Sequence, residues 1–117
     1  MNILLIGLGG FLGAISRYLL NELVLKYIPT NFPTGILIVN TLGCLFGGLV
    51  LCNSMISKDQ LYYFFAVGFL GSFTTMSAFS YQAIELFNTN ILISCSYIIL
   101  TLTLTILATY IGINFSK

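Results

Sequence analysis

Four apolar stretches run through this 117-residue chain, near 2–25, 32–53, 61–84 and 91–114. Short polar or proline-bearing segments separate them: "KYIPTNFP" (26–33), "SMISKDQ" (54–60) and "LFNTN" (86–90). A helix needs about 20 mostly apolar residues to cross the hydrocarbon core of a bilayer. The pattern therefore predicts an all-α integral membrane protein of four transmembrane helices, a single membrane domain over residues 1–117. Pro29 and Pro33 are placed to stop the first helix and start the second. The first stretch has no basic segment ahead of it and no small-residue cleavage pattern, so it is expected to remain as a helix.

Composition supports this reading. Hydrophobic residues make up 58% of the chain and charged residues 6%, too few charges to cover a soluble domain. The formal net charge of +1 points to no nucleic acid and no acidic partner, leaving the lipid bilayer as the surrounding medium. The basic residues near the helix ends are almost balanced, with Lys58 and Lys117 on one side against Lys26 and Arg17 on the other. So little bias allows insertion in both orientations, and such a population would pair as an antiparallel dimer. Cys44, Cys52 and Cys95 form no CxxC or metal spacing and read as small buried hydrophobes.

Polar and small residues inside the apolar stretches carry more information. In the first, Gly9 and Gly13 form a GxxxG pair suited to close helix packing, with Gly10, Gly13 and Arg17 on one face. Arg17 either snorkels to the interface or faces an electropositive vestibule. In the second, Asn40 shares a face with Gly43 and Gly47. An amide at that depth must be hydrogen-bonded or wet, because burying it unpaired costs several kcal/mol. The third holds "GFLGSFTTMSAF" (68–79), where Gly71, Ser72, Thr74 and Thr75 are poor helix formers. Either a regular helix with a polar packing face or a break suits these residues. A break would free backbone carbonyls, tolerated at this depth only inside protein or along a cavity, and suited to a hard cation. In the fourth, Tyr97, Thr101 and Thr105 make one hydroxylated stripe.

No carboxylate lies at mid-depth: Glu22 and Glu85 are near helix ends and Asp59 is in a loop. A cation or proton route is expected to show an intramembrane acid. Hydroxyls, one amide and aromatic ring edges suit an anion better. In a continuous helix Phe73, Met76 and Phe79 recur at i, i+3 and i+6, which sets Met76 on the same side as Phe79. No nucleophile–base or metal constellation is present, so the chain is not expected to be an enzyme.

At "GGFLGAISRY" (9–18), "FPTGILIVNTLG" (32–43) and "GFLGSFTTMSAF" (68–79) the chain resembles the CrcB/Fluc fluoride channels, in order and spacing. The resemblance implies an antiparallel, dual-topology homodimer with two fluoride pathways and a third helix broken at its centre. It also implies a structural, untransported Na+ at the dimer centre, held by the main-chain carbonyls of Gly71 and Thr74. The anion pathway it implies takes in Asn40, Thr75, Met76, Ser77, Phe79, Tyr97 and Thr101, with Arg17 at the vestibule. Two positions depart from the family pattern: Met76 stands where the first pore phenylalanine is expected, and Ile36 where the "PxGT" threonine is expected. The expected function is passive export of fluoride ion across the cell membrane by a multi-pass channel. Alternatives are a subunit that pairs with a paralogue, a small dual-topology drug or cation exporter, and a non-conducting assembly subunit. The exporter would require a mid-membrane Glu in the first helix, and Glu22 lies too near its end.

Overall fold

The computed structural model describes residues 2–28, 32–52 and 62–116. Every element among them is helical: α1 (Asn2–Tyr27), α2 (Thr34–Cys52), a π-helical segment (Tyr62–Leu70), α3 (Gly71–Phe73), α4 (Met76–Thr89) and α5 (Ile91–Ser116). The segment 54–60 with Lys58 and Asp59, and also Pro29 and Lys117, lie outside the described residues. By length and composition three runs can cross a membrane: Asn2–Tyr27, Tyr62–Thr89 and Ile91–Phe115. α2 is the short one, 19 residues or about 28 Å at 1.5 Å per residue. Large apolar side chains on the outer faces, among them Ile3, Leu19, Leu92, Ile106 and Phe115, are exposed. Lipid, unlike water, accepts such a surface.

Missing side chains decide how closely the helices approach. α1 packs on the π-helical segment: a Cβ on Gly9 would run into the Phe64 carbonyl, and one on Gly13 into the Phe69 carbonyl. On the other side of the bundle α2 crosses α5 at Gly48 and Gly112, where a Cβ on either would lie 3.1 Å from the other's Cα. In both crossings backbone rests on backbone, the arrangement small residues permit where lipid supplies no hydrophobic drive.

The third apolar segment differs from the sequence expectation in two ways. Its first nine described residues wind as a π-helix. Its far end runs on to Thr89 rather than stopping at 84, so that "LFNTN" is mostly helix. Asn90 explains the second difference. Its N–H donates to the Leu86 carbonyl and closes α4, while its Oδ1 accepts from the N–H groups of Leu92 (3.0 Å) and Ile93 (3.4 Å) and opens α5. One residue caps two helices, so no loop is needed. Two of the three cysteines also depart from expectation, Cys95 being exposed and Cys44 only half-buried, while the side chain of Cys52 lies outside what the structure describes. Cys95 sits on an α5 face that no described helix covers.

Between α3 and α4 two residues leave helical geometry. Thr74 has φ −80° and ψ 154°, and Thr75 has φ −148° and ψ 117°. Both are ordinary extended backbone. Phe73, before this interruption, is buried and stacks on Phe69 at 5.6 Å. Phe73, Met76 and Phe79 therefore do not share the uninterrupted register that their spacing suggests.

Candidate functional site

The site is built around Thr75. In a continuous helix its N–H would bond the Gly71 carbonyl, four residues back. Here it donates instead to Asn40 Oδ1 on α2, at 2.8 Å, while Asn40 Nδ2 donates to the Thr75 carbonyl at 3.1 Å. The amide thus pairs with one peptide through both its ends. Thr75 also caps α4, its Oγ1 accepting from the Ala78 N–H at 3.2 Å. That N–H would otherwise serve the Thr74 carbonyl. The Ser72 carbonyl accepts from Arg17 Nε at 3.3 Å. Thr74 turns its own hydroxyl back to the Leu70 carbonyl at 3.0 Å, and its methyl fills the space left by Gly43.

Gly71 and Thr74 therefore lose their i+4 donors to side chains, and their carbonyls are released. Neutral backbone oxygens of this kind are hard donors that suit an alkali or alkaline-earth cation. No group of three or more His, Cys, Asp or Glu side chains that would favour a transition metal occurs among the described residues. The donor set fits the sodium that the family resemblance implies.

Beside the interruption lies a pocket of about 230 Å³ lined by Asn40, Cys44, Thr74, Thr75, Met76, Phe79, Thr101, Leu102 and Thr105. An account of its hydrogens shows what it can bind. The Thr74 hydroxyl is used by Leu70, and the Thr105 hydroxyl by the Thr101 carbonyl at 2.7 Å. Thr75 Oγ1 and Ser77 Oγ share one bond of 3.1 Å, leaving one of their two hydrogens over. Asn40 keeps one Nδ2 hydrogen after serving Thr75. The Thr101 hydroxyl, on a residue 5% exposed, is buried with no partner in bonding geometry. The pocket has hydrogens to spare for an acceptor. α4 also begins at Met76 on the pocket wall, placing the positive end of a helix dipole there.

The structure brings most of the residues singled out in the sequence to this pocket: Asn40, Thr75, Met76, Phe79 and Thr101 line it, and Ser77 adjoins it through Thr75. Met76 is 70% exposed. Tyr97 lies behind the pocket wall, fully buried between Phe79 (5.2 Å, tilted) and Phe32 (5.4 Å, edge-on). Its hydroxyl donates to Gln82 Oε1 at 3.2 Å. Arg17 is half-buried and contacts the interruption through Ser72. Cys44 and Gln82 were not among the expected residues. Cys44 lies one helical turn beyond Asn40, a spacing that placed it on the pocket side. Nothing in the sequence pairs Gln82 with Tyr97.

The chain is similar to known proteins over nearly its whole length. Residues 4–113 match the family model described as "CrcB-like protein, Camphor Resistance (CrcB)". A Clostridium novyi protein named fluoride-specific ion channel FluC is 38% identical over 113 residues, covering 93% of this chain and 88% of its own. Its namesake from Clostridium perfringens is 42% identical over 113 residues, with 93% and 88% covered. In Methanosarcina acetivorans a protein named fluoride-specific ion channel FluC 1 is 40% identical over 114 residues, with 94% and 86% covered.

Proposed function

This chain belongs to the CrcB family, and from that premise we propose that it is a fluoride-specific channel that lowers cytoplasmic fluoride by passive export. Fluoride enters a cell as the neutral acid and dissociates inside. A membrane route for the anion alone then drains it without catalysis or energy coupling. The observation that carries this reading is the hydrogen surplus of the pocket beside Thr75. Thr101, Asn40 and the Thr75–Ser77 pair offer donors that the protomer does not consume. A desolvated anion loses strong hydrogen bonds to water, and unspent donors in a low-dielectric site replace them.

In this reading the chain crosses the membrane four times and pairs with an inverted copy of itself, giving two equivalent routes. Asn40, Thr75, Ser77, Thr101 and the ring of Phe79 flank each route, with Tyr97 packed behind Phe79, Met76 at the edge and Arg17 at the vestibule. Gly71 and Thr74 would hold a sodium ion through their carbonyls. Bound there, the ion would supply positive charge to these neutral main-chain oxygens. Asn40 and Thr75 keep those carbonyls free of helical donors.

Pairing with a related chain is the second reading, and one residue favours it: Met76 offers no aromatic edge to an anion. Numbered relatives such as FluC 1 and FluC 3 in Methanosarcina species are in keeping with it. Cells stripped of their own fluoride export test the function. Expressing this chain alone should restore growth at fluoride levels that stop the parent strain. No restoration by a chain shown to reach the membrane would refute single-chain function.

A further inference from the structure

We infer that Asn40 is a positioning residue that couples the cation-holding carbonyls to the anion pocket through one amide. This rests on the proposed reading of Gly71 and Thr74 as a cation site. Asn40 is 8% exposed, and both ends of its amide are committed to Thr75. That commitment fixes its orientation, since a flipped amide would set N–H against N–H and oxygen against oxygen. By taking the Thr75 N–H, Asn40 withholds from the Gly71 carbonyl the donor that a helix would supply. The Gly71 oxygen is available to a cation because Asn40 is there. The same side chain lines the pocket, where its second Nδ2 hydrogen remains for an anion. An acceptor that draws on this hydrogen therefore pulls on the group that holds Thr75 in place.

Two consequences follow. Changing Asn40 alters the affinity for sodium, even with no fluoride present. An anion accepting the second Nδ2 hydrogen polarises the amide and makes Oδ1 a stronger acceptor for the Thr75 N–H. Fluoride and sodium therefore strengthen each other's binding, by the same factor in both directions. A residue that only lines the pocket, such as Thr101, lacks the first property.

Thermal unfolding of the purified protein, with sodium replaced by N-methylglucamine at constant ionic strength, gives the sodium concentration of half-maximal stabilisation. With chloride as the sole anion, Asn40→Asp should raise that midpoint by roughly tenfold or more, the range of a lost buried hydrogen-bond pair. Its carboxylate still accepts from Thr75 N–H but sets a second oxygen against the Thr75 carbonyl. Thr101→Val should leave the midpoint within about twofold, since it touches no interruption backbone. In the wild-type protein, exchanging chloride for fluoride should lower the midpoint by about fivefold or more, a comparison that holds even if the Asn40 variant does not fold. An unshifted midpoint in Asn40→Asp, an equal shift in Thr101→Val, a midpoint indifferent to fluoride, or stability indifferent to sodium would each overturn the coupling. Fluoride flux of the same wild-type preparation reports on the channel reading separately.

Discussion

Thr101 carries a hydroxyl that the folded chain buries beside the Tyr97 hydroxyl without full bonding geometry, which is unfavourable unless something else uses it. Thr101→Val keeps the shape and removes the donor. The variant should melt at the same temperature as the wild type or higher, while fluoride flux falls by roughly tenfold or more, as expected when an ion loses a hydrogen bond worth about 1.5–3 kcal/mol. Flux measured beside melting separates these effects, and equal loss of both would assign Thr101 to packing alone. Met76 makes the opposite case. It is 70% exposed, so Met76→Phe should change stability by no more than about 0.5 kcal/mol. Flux should rise or hold, and a fall would contradict an aromatic edge at this position favouring the anion. The stripe Tyr97–Thr101–Thr105 was legible from its spacing, but the fate of each hydroxyl was not. Thr105 spends its hydrogen on its own backbone, Tyr97 donates to Gln82 on another helix, and Thr101 lies beside Tyr97 without full bonding geometry. Spacing sets which face a residue occupies, and tertiary contacts set which hydrogens remain.

The glycine crossings give the sharpest test among the elements. Gly13→Val places a side chain against the Phe69 carbonyl, and Gly48→Leu places one against Thr109 and Gly112. Either should force the helices apart at a cost of about 1–3 kcal/mol or more, seen as loss of folded protein on size-exclusion chromatography. Gly7→Ala, with nothing within 4 Å of the added methyl, should be tolerated. Folded Gly13→Val with native melting would contradict the close α1 crossing. The GxxxG pair in the first stretch announced tight packing, though not that carbonyls of a π-helical segment would be the partners. The reach of α4 to Thr89 was misplaced because windows of apolar residues end at Glu85, Asn88 and Thr89, whereas helix ends are decided by capping. The extended pair Thr74–Thr75 falls within a stretch whose glycine and β-branched residues disfavour helix. What holds it extended, Asn40 from 35 positions away and Arg17 reaching Ser72 across 55, is invisible to any local reading.

At the scale of the whole molecule, an apolar exterior and very few charges made the membrane class plain from composition alone. The helices enclose little of one another, and rows of Leu, Ile and Phe look outward on α1, α4 and α5. Balanced basic residues permit either orientation without specifying a mate. One experiment addresses both conduction and self-sufficiency: fluoride efflux from liposomes that contain only this purified chain. The vesicles are loaded with potassium fluoride, and valinomycin is added to let charge balance. Fluoride should appear outside at a rate proportional to protein, while vesicles loaded with chloride should release far less. Fluoride release no faster than from empty vesicles, or chloride release as fast as fluoride, would contradict a fluoride-specific channel made by this chain alone.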